Sequence, residues 1–133
     1  MIRLLFLLSV LPGAAWAEPL FGADSKNLPN SKMDIVLTEV ERLPRVSVLA
    51  IKIRVTGSSV GASFFIACSL RRLAELRGPT AYIVKLEEKE RMRIGFLKAK
   101  DEPPSQIGPE FRNAAVIDLD ALAPICTAME KAG

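Results

Sequence analysis

The segment Ser59–Arg77, SVGASFFIACSLRRLAELR, constrains the fold of this chain more than any other stretch. Ala62, Ile66, Leu70 and Leu73 fall on one helical stripe, widened by Phe65, Ser69 and Leu76, while Arg71 and Glu75 lie opposite. Ser58 or Ser59 is placed to cap the first turn. Gly78-Pro79 ends the helix, because glycine accepts the reversal after the last turn and proline cannot continue it. A helix with one long apolar stripe must bury it against another layer.

That layer is legible as strands. Val46 to Thr56 places Leu49, Ile51, Ile53 and Val55 on one face by the period of two, with Val48, Ala50, Lys52 and Arg54 on the other. Asp34 to Glu41 reads as a shorter strand with Ile35, Leu37 and Val40 as its apolar set, and Leu43-Pro44 breaks the chain after it. Thr80 to Glu88 and Arg91 to Lys100 form a hairpin about Glu88-Lys89-Glu90. In the first of these, Tyr82, Val84 and Leu86 are assigned to the core, against Ala81, Ile83 and Lys85. Asp101 to Asn113 holds prolines and a glycine and reads as loop. Ala114 to Leu119 is a last short strand, and Ala121 to Lys131 a terminal helix that Pro124 delays or bends, with Asp120 as its cap. The expected fold class is α+β in two layers: one long helix on a small mixed or antiparallel sheet of four to five strands, plus a short C-terminal helix and one disulfide. The helix connection is expected to run its flanking strands parallel.

The N-terminus carries a different signal. Arg3 precedes the apolar run Leu4–Leu11, Pro12-Gly13 breaks it, and Ala15-Trp16-Ala17 supplies small residues for cleavage, so residues 1–17 read as a signal peptide. The run is shorter than the about 20 residues a bilayer-spanning helix needs. The mature chain then starts at Glu18, has no transmembrane span, and is periplasmic or secreted. Residues 18–32, rich in Pro, Gly, Asn and Ser, read as a flexible leader anchored at most through Leu20 and Phe21. Residues 33–133 form the single α+β domain. In an oxidising compartment the two cysteines, Cys68 and Cys126, are expected to pair. Cys68 lies on the helix side away from Ile66, Leu70 and Leu73, so the bond is expected to draw the C-terminal segment across the outer side of the helix.

Several chemistries are excluded. The chain has no histidine, which removes Ser-His-Asp and Cys-His catalysis and every histidine metal site. Paired cysteines remove thiolate chemistry. A formal net charge of +3 is too mild for a nucleic-acid-binding surface. Asp118 and Asp120 share a strand face, but strand-end solvation and helix capping account for them better than a carboxylate-based hydrolase does. No catalytic residue, cofactor or metal is therefore assigned, and the chain reads as a non-enzymatic protein.

Two surfaces remain as candidates. Lys52, Arg54, Lys85 and Arg93 are expected on one open sheet face, a basic stripe able to meet an envelope protein, an anionic glycan or a lipid headgroup. Gly57, Ser58, Ser59 and Gly61 join a strand to a helix and offer backbone amides to a small anion. They lack the lysine and glycine spacing of a nucleotide loop. The first reading is an exported envelope accessory or binding protein acting through a surface patch. The alternative is a small-ligand or anion carrier, using the Gly57–Ser63 turn or the space between helix and sheet.

The run Ala67–Lys85, ACSLRRLAELRGPTAYIVK, resembles a pattern of small bacterial envelope proteins in which a helix ending in Leu-x-x-x-Gly feeds a strand with an aromatic and β-branched residues. The layout is similar to small periplasmic α/β lipoprotein-type domains, including the Rcs stress-sensor lipoprotein type, although this chain has no cysteine in place for lipidation. The resemblance implies a fold and a compartment, and no catalytic residue.

Overall fold

The computed structural model describes residues 20–29, 31–78 and 80–131; the segment 1–17, expected to be a signal peptide, lies outside the described residues. In chain order the elements are β1 (Gly22–Asp24), β2 (Asp34–Leu43), β3 (Val46–Val55), α1 (Ser59–Arg77), β4 (Tyr82–Glu88), β5 (Arg91–Leu97), β6 (Val116–Asp118) and α2 (Ala123–Lys131), with short 3-10 turns between some of them. The strands form one six-stranded sheet in the order β1-β2-β3-β5-β4-β6, and every neighbouring pair is antiparallel. The α+β class and the disulfide are as read from the sequence. The sheet has six strands where four or five were expected, and it is antiparallel throughout. β3 and β4 do run parallel through the α1 connection, but β5 lies between them.

Local chemistry sets the bounds of α1. Ser58 is the N-cap: its backbone is extended and its Oγ accepts the Gly61 amide at 2.9 Å. Gly57 before it has φ +68°, a left-handed conformation that favours glycine. At the other end Gly78 has φ +145°, and its N–H donates to the Ala74 carbonyl. The buried stripe is Ala62, Phe65, Ser69, Leu70, Leu73 and Ala74. Ser69 sits in it at no polar cost, because its hydroxyl donates to the Phe65 carbonyl one turn back.

The main core lies between this stripe and the inner sheet face. Ile35 and Leu37 come from β2, Leu49 from β3, Ile83 from β4, and Met92, Ile94 and Phe96 from β5. A second core lies on the outer face, where Val46, Val84 and Leu97 pack with Phe111, which is wholly buried, and with the half-buried Tyr82, Leu86 and Ile107. The segment after β5, read as plain loop, thus covers the outer face around Val46, Val84 and Leu97. Arg45 clips its start: the guanidinium donates twice to Glu102 and once to the Phe96 carbonyl. Gly95 marks how closely it approaches, since a Cβ there would stand 3.0 Å from both Ile107 Cδ1 and Val84 Cγ2.

Residues 21–28 of the segment expected to be a flexible leader are built into the fold instead. β1 pairs with β2 from Gly22↔Thr38 to Asp24↔Val36. Phe21 and Ala23 are buried in the main core, whereas Leu20 is exposed. The buried Ser25 accepts the Ile35 amide through its Oγ at 2.8 Å. Tertiary contacts hold these residues, not any strand propensity of their own.

At the C-terminus, Cys68 and Cys126 are bonded, with their Cα atoms 5.5 Å apart, and α2 packs along α1 with Met129 against the main core. The expected cap of α2 is corrected: Asp120 lies in a 3-10 turn, and it is Asp118 whose side chain accepts the Asp120 amide.

Candidate functional site

β3 and β5 differ in length, and that difference opens the molecule. Their pairing runs from Val46↔Gly95 to Ala50↔Arg91, with one further bond from the Ile51 amide to the Glu90 carbonyl. Beyond it, the chain leaves at the Lys89-Glu90 turn while β3 continues to Val55. The first half of α1 therefore has no β5 beneath it. The result is a cleft of about 600 Å³ between helix and sheet, within the size range of small-ligand sites.

Its walls are chemically divided. α1 contributes Ile66, Ala67 and Leu70, β3 contributes Ile51 and Ile53, and Met92 and Ile117 close the far side. The polar part comes from Lys85 and Glu87 on β4 and from Lys89 and Glu90 in the turn. Lys85 Nζ stands 2.7 Å from Glu87 Oε2, so the two form a local ion pair at the wall.

This placement corrects the expected basic stripe. Ile83 pairs with Phe96 and Lys85 with Ile94, both inner residues of β5, so Ile83, Lys85 and Glu87 face α1. Tyr82, Val84 and Leu86 face outward into the second core. Lys85 is thus on the opposite side of the sheet from Lys52, Arg54 and Arg93. Arg93 is on the outer face as expected, opposite Val48, but Glu88 at 3.9 Å and Glu110 at 3.4 Å offset its charge. Lys52 and Arg54 are exposed near the end of β3 and make no ion pair among the described residues. Ile53 and Val55, which alternate with them, are 51% and 50% exposed. The expected four-residue stripe reduces to two cations flanked by two uncovered apolar side chains.

The Gly57–Gly61 turn acts as a helix start. Ser58 takes the Gly61 amide through its side chain and the Ala62 amide through its carbonyl. One of the amides an anion would use, that of Gly61, is therefore already occupied.

A polar cluster that the sequence reading missed sits on the inner face at the other end of the sheet. Glu39 is buried to 1% and accepts from the Phe21 amide at 2.9 Å, from Ser47 Oγ at 2.6 Å, and from Arg42 Nε and Nη2 at 3.0 and 2.6 Å. Burial opposes its charge, but these hydrogen bonds outweigh it and hold the carboxyl down at about 2. Arg77, the last residue of α1, reaches the same place and donates to the carbonyls of Leu43, Pro44 and Val46 and to Ser47 Oγ. Its guanidinium lies 4.9 Å from the centroid of the Phe96 ring. Both carboxylate oxygens of Glu39 accept hydrogen bonds, and the cluster joins α1, β2 and β3. The available signal was Glu39 two positions after Leu37 and four after Ile35, on the core face of β2, with Arg42 three residues on.

No group of three or more metal-ligating side chains occurs among the described residues, and no described helix is long and apolar enough to cross a membrane. Comparison of the chain with protein-family models, with curated proteins and with solved structures finds no match.

Proposed function

We propose that the protein is a non-enzymatic binding protein of the bacterial envelope, exported through the segment 1–17, which docks a macromolecular partner at the open corner where the β3 end meets the cleft. The observation that carries this reading is the juxtaposition of exposed Lys52 and Arg54, without ion-pair partners among the described residues, with exposed Ile53 and Val55 on one unfinished strand. The Cys68–Cys126 disulfide supports an oxidising compartment. So does the layout that resembles lipoprotein-type periplasmic domains.

The test is partner capture from an envelope extract with the full chain and with Lys52→Glu/Arg54→Glu. A partner retained by the first and lost by the second, with the melting temperature unchanged, supports the reading; equal capture by both overturns it. A second reading, a small-ligand carrier, is favoured by the volume and mixed lining of the cleft. In that case a member of a metabolite panel raises the melting temperature, and Lys85→Ala removes the rise.

A further inference from the structure

We infer that the cleft between α1 and the sheet binds a single-chain amphiphile, with its alkyl chain between helix and sheet and its anionic head on Lys85. This inference rests on the small-ligand reading of the cleft and names the chemical class of the ligand.

Lys85 stands where a core would place an apolar residue. It is on the inner face of β4, two residues from Ile83, and it pairs across the strands with Ile94. Ile83 and Ile94 are both wholly buried. A lysine in such a row, beneath a helix, is seldom accommodated without a partner. Among the described residues α1 supplies no acceptor for it. Its one ion pair is with Glu87, two residues along the same strand.

The two members of that pair are not equally placed. The Lys85 side chain is 29% exposed and that of Glu87 is 63% exposed, so the lysine is the inner charge. Water screens the outer charge more strongly, and the β4 wall therefore presents positive charge to the cleft. Lys89 and Glu90, both exposed in the turn at the rim, add no net charge. An ion pair so open to water is weak, so an anionic head displaces Glu87 from the lysine at small cost.

The rest of the cavity suits an alkyl chain. Leu70, Met92 and Leu119 are buried in its deep part, and Ile51, Ile66 and Ile117 are half-buried along its walls. From Ser63 to Leu70, α1 lines the cleft over about two turns, a length of about 10 Å at the usual helical rise. A chain of medium length spans that distance, and the volume of about 600 Å³ holds one chain with its head. A nucleotide or sugar phosphate fits less well, because it needs polar partners along its whole length and most of this wall is apolar. A cationic amphiphile would meet Lys85 as the nearest charge.

The probe is a series of straight-chain carboxylates from hexanoate to dodecanoate, titrated into the full chain below micelle-forming concentrations and read by calorimetry. Affinity is expected to rise about four-fold per added methylene and to level off once the chain outgrows the helical turns that line the cleft. Decyl phosphate also binds, and the tighter of it and decanoate tells a free fatty acid from a phosphate-headed lipid as the source of the ligand. Decyltrimethylammonium binds about ten-fold more weakly than either. Lys85→Met, which keeps an apolar stem, weakens decanoate about ten-fold and abolishes the preference for the anionic head. Ala67→Phe fills the cleft from the helix side and abolishes binding. If Ala67→Phe does not fold, the chain-length series and Lys85→Met decide alone. Affinity independent of chain length, equal binding of the cationic analogue, or unchanged affinity in Lys85→Met overturns the inference. If another member of a metabolite panel still raises the melting temperature through Lys85, the carrier reading stands and only its ligand class was wrong. If none does, the carrier reading has failed as well.

Discussion

Arg77 Nη1 stands 3.9 Å from Glu39 Oε2, so the last side chain of α1 closes on a carboxylate buried beneath the first turn of the chain into the sheet. Because the Glu39 carboxyl titrates at about 2 against an ordinary value of 4.5, its charged form stabilises the fold above pH 4.5, and that contribution is lost as pH falls toward 2. The difference is equivalent to about 3 kcal/mol. Glu39→Gln is expected to lower stability at pH 7 and to flatten the acid limb of a stability-versus-pH curve measured by urea unfolding. An acid limb as steep as the wild type's would assign that limb to other carboxylates. Glu102, held at about 2 by Arg45 and the Lys98 amide, contributes in the same direction.

Breaking the disulfide is expected to cost about 4 kcal/mol, from the loop entropy of a 58-residue separation. Cys126→Ser also leaves α2, only nine residues long, without its covalent tie, and helices that short are marginal alone. Limited proteolysis should then cut within Ala123–Lys131 first, while the rest of the chain stays protected.

The outer core depends on one missing side chain. Gly95→Val places methyl groups where Ile107 and Val84 already lie and is expected to cost about 1–3 kcal/mol. Phe111→Ala, which empties a fully buried site, is expected to cost about 3–5 kcal/mol. Both should expose residues 98–115 to protease before the sheet melts. If that segment is cut no sooner than in the wild type, its role as a cover is refuted.

Ser58→Ala removes the acceptor of the Gly61 amide and is expected to cost about 1 kcal/mol, whereas Ser58→Asp should be close to neutral. Thermal melts distinguish the two. Ser59→Ala is the internal control, since Ser59 is exposed and already inside the helix.

How far the sequence carried can be argued from particular elements. The bounds of α1 were legible to the residue because its cap and its glycine stop are local; its stripe was legible except at Leu76, which is exposed, and Ala74, which is buried. β1 was not, since Gly22–Asp24 acquires strand geometry only from β2, twelve or more residues away. The facing of β4 was inverted for a different reason. Tyr82-Val84-Leu86 is more apolar than Ile83-Lys85-Glu87, and apolarity points to the helix side only if the other face is bare. Here Phe111 and Ile107 cover that other face, so the more apolar set belongs to it. An aromatic and an isoleucine inside the proline-rich stretch were the available hint. For the site, Lys52 and Arg54 were readable from alternation alone. The cleft was anticipated only as the space between helix and sheet; its position and lining could not be read, because it arises from a length mismatch between strands that are not sequence neighbours.

β5 has a neighbour on each side, β3 and β4, and both come before it in the chain. Without β5, the β1–β2–β3 and β4–β6 halves of the sheet share no backbone hydrogen bond. The β4–β5 hairpin, closed locally through Lys89 and Glu90, is expected to form first and to dock on β3 as a unit, with that long-range docking as the slow step. Truncating Met92 or Ile94 should accordingly slow the folding limb of a chevron, and truncating Ala23 in β1 should mainly quicken unfolding.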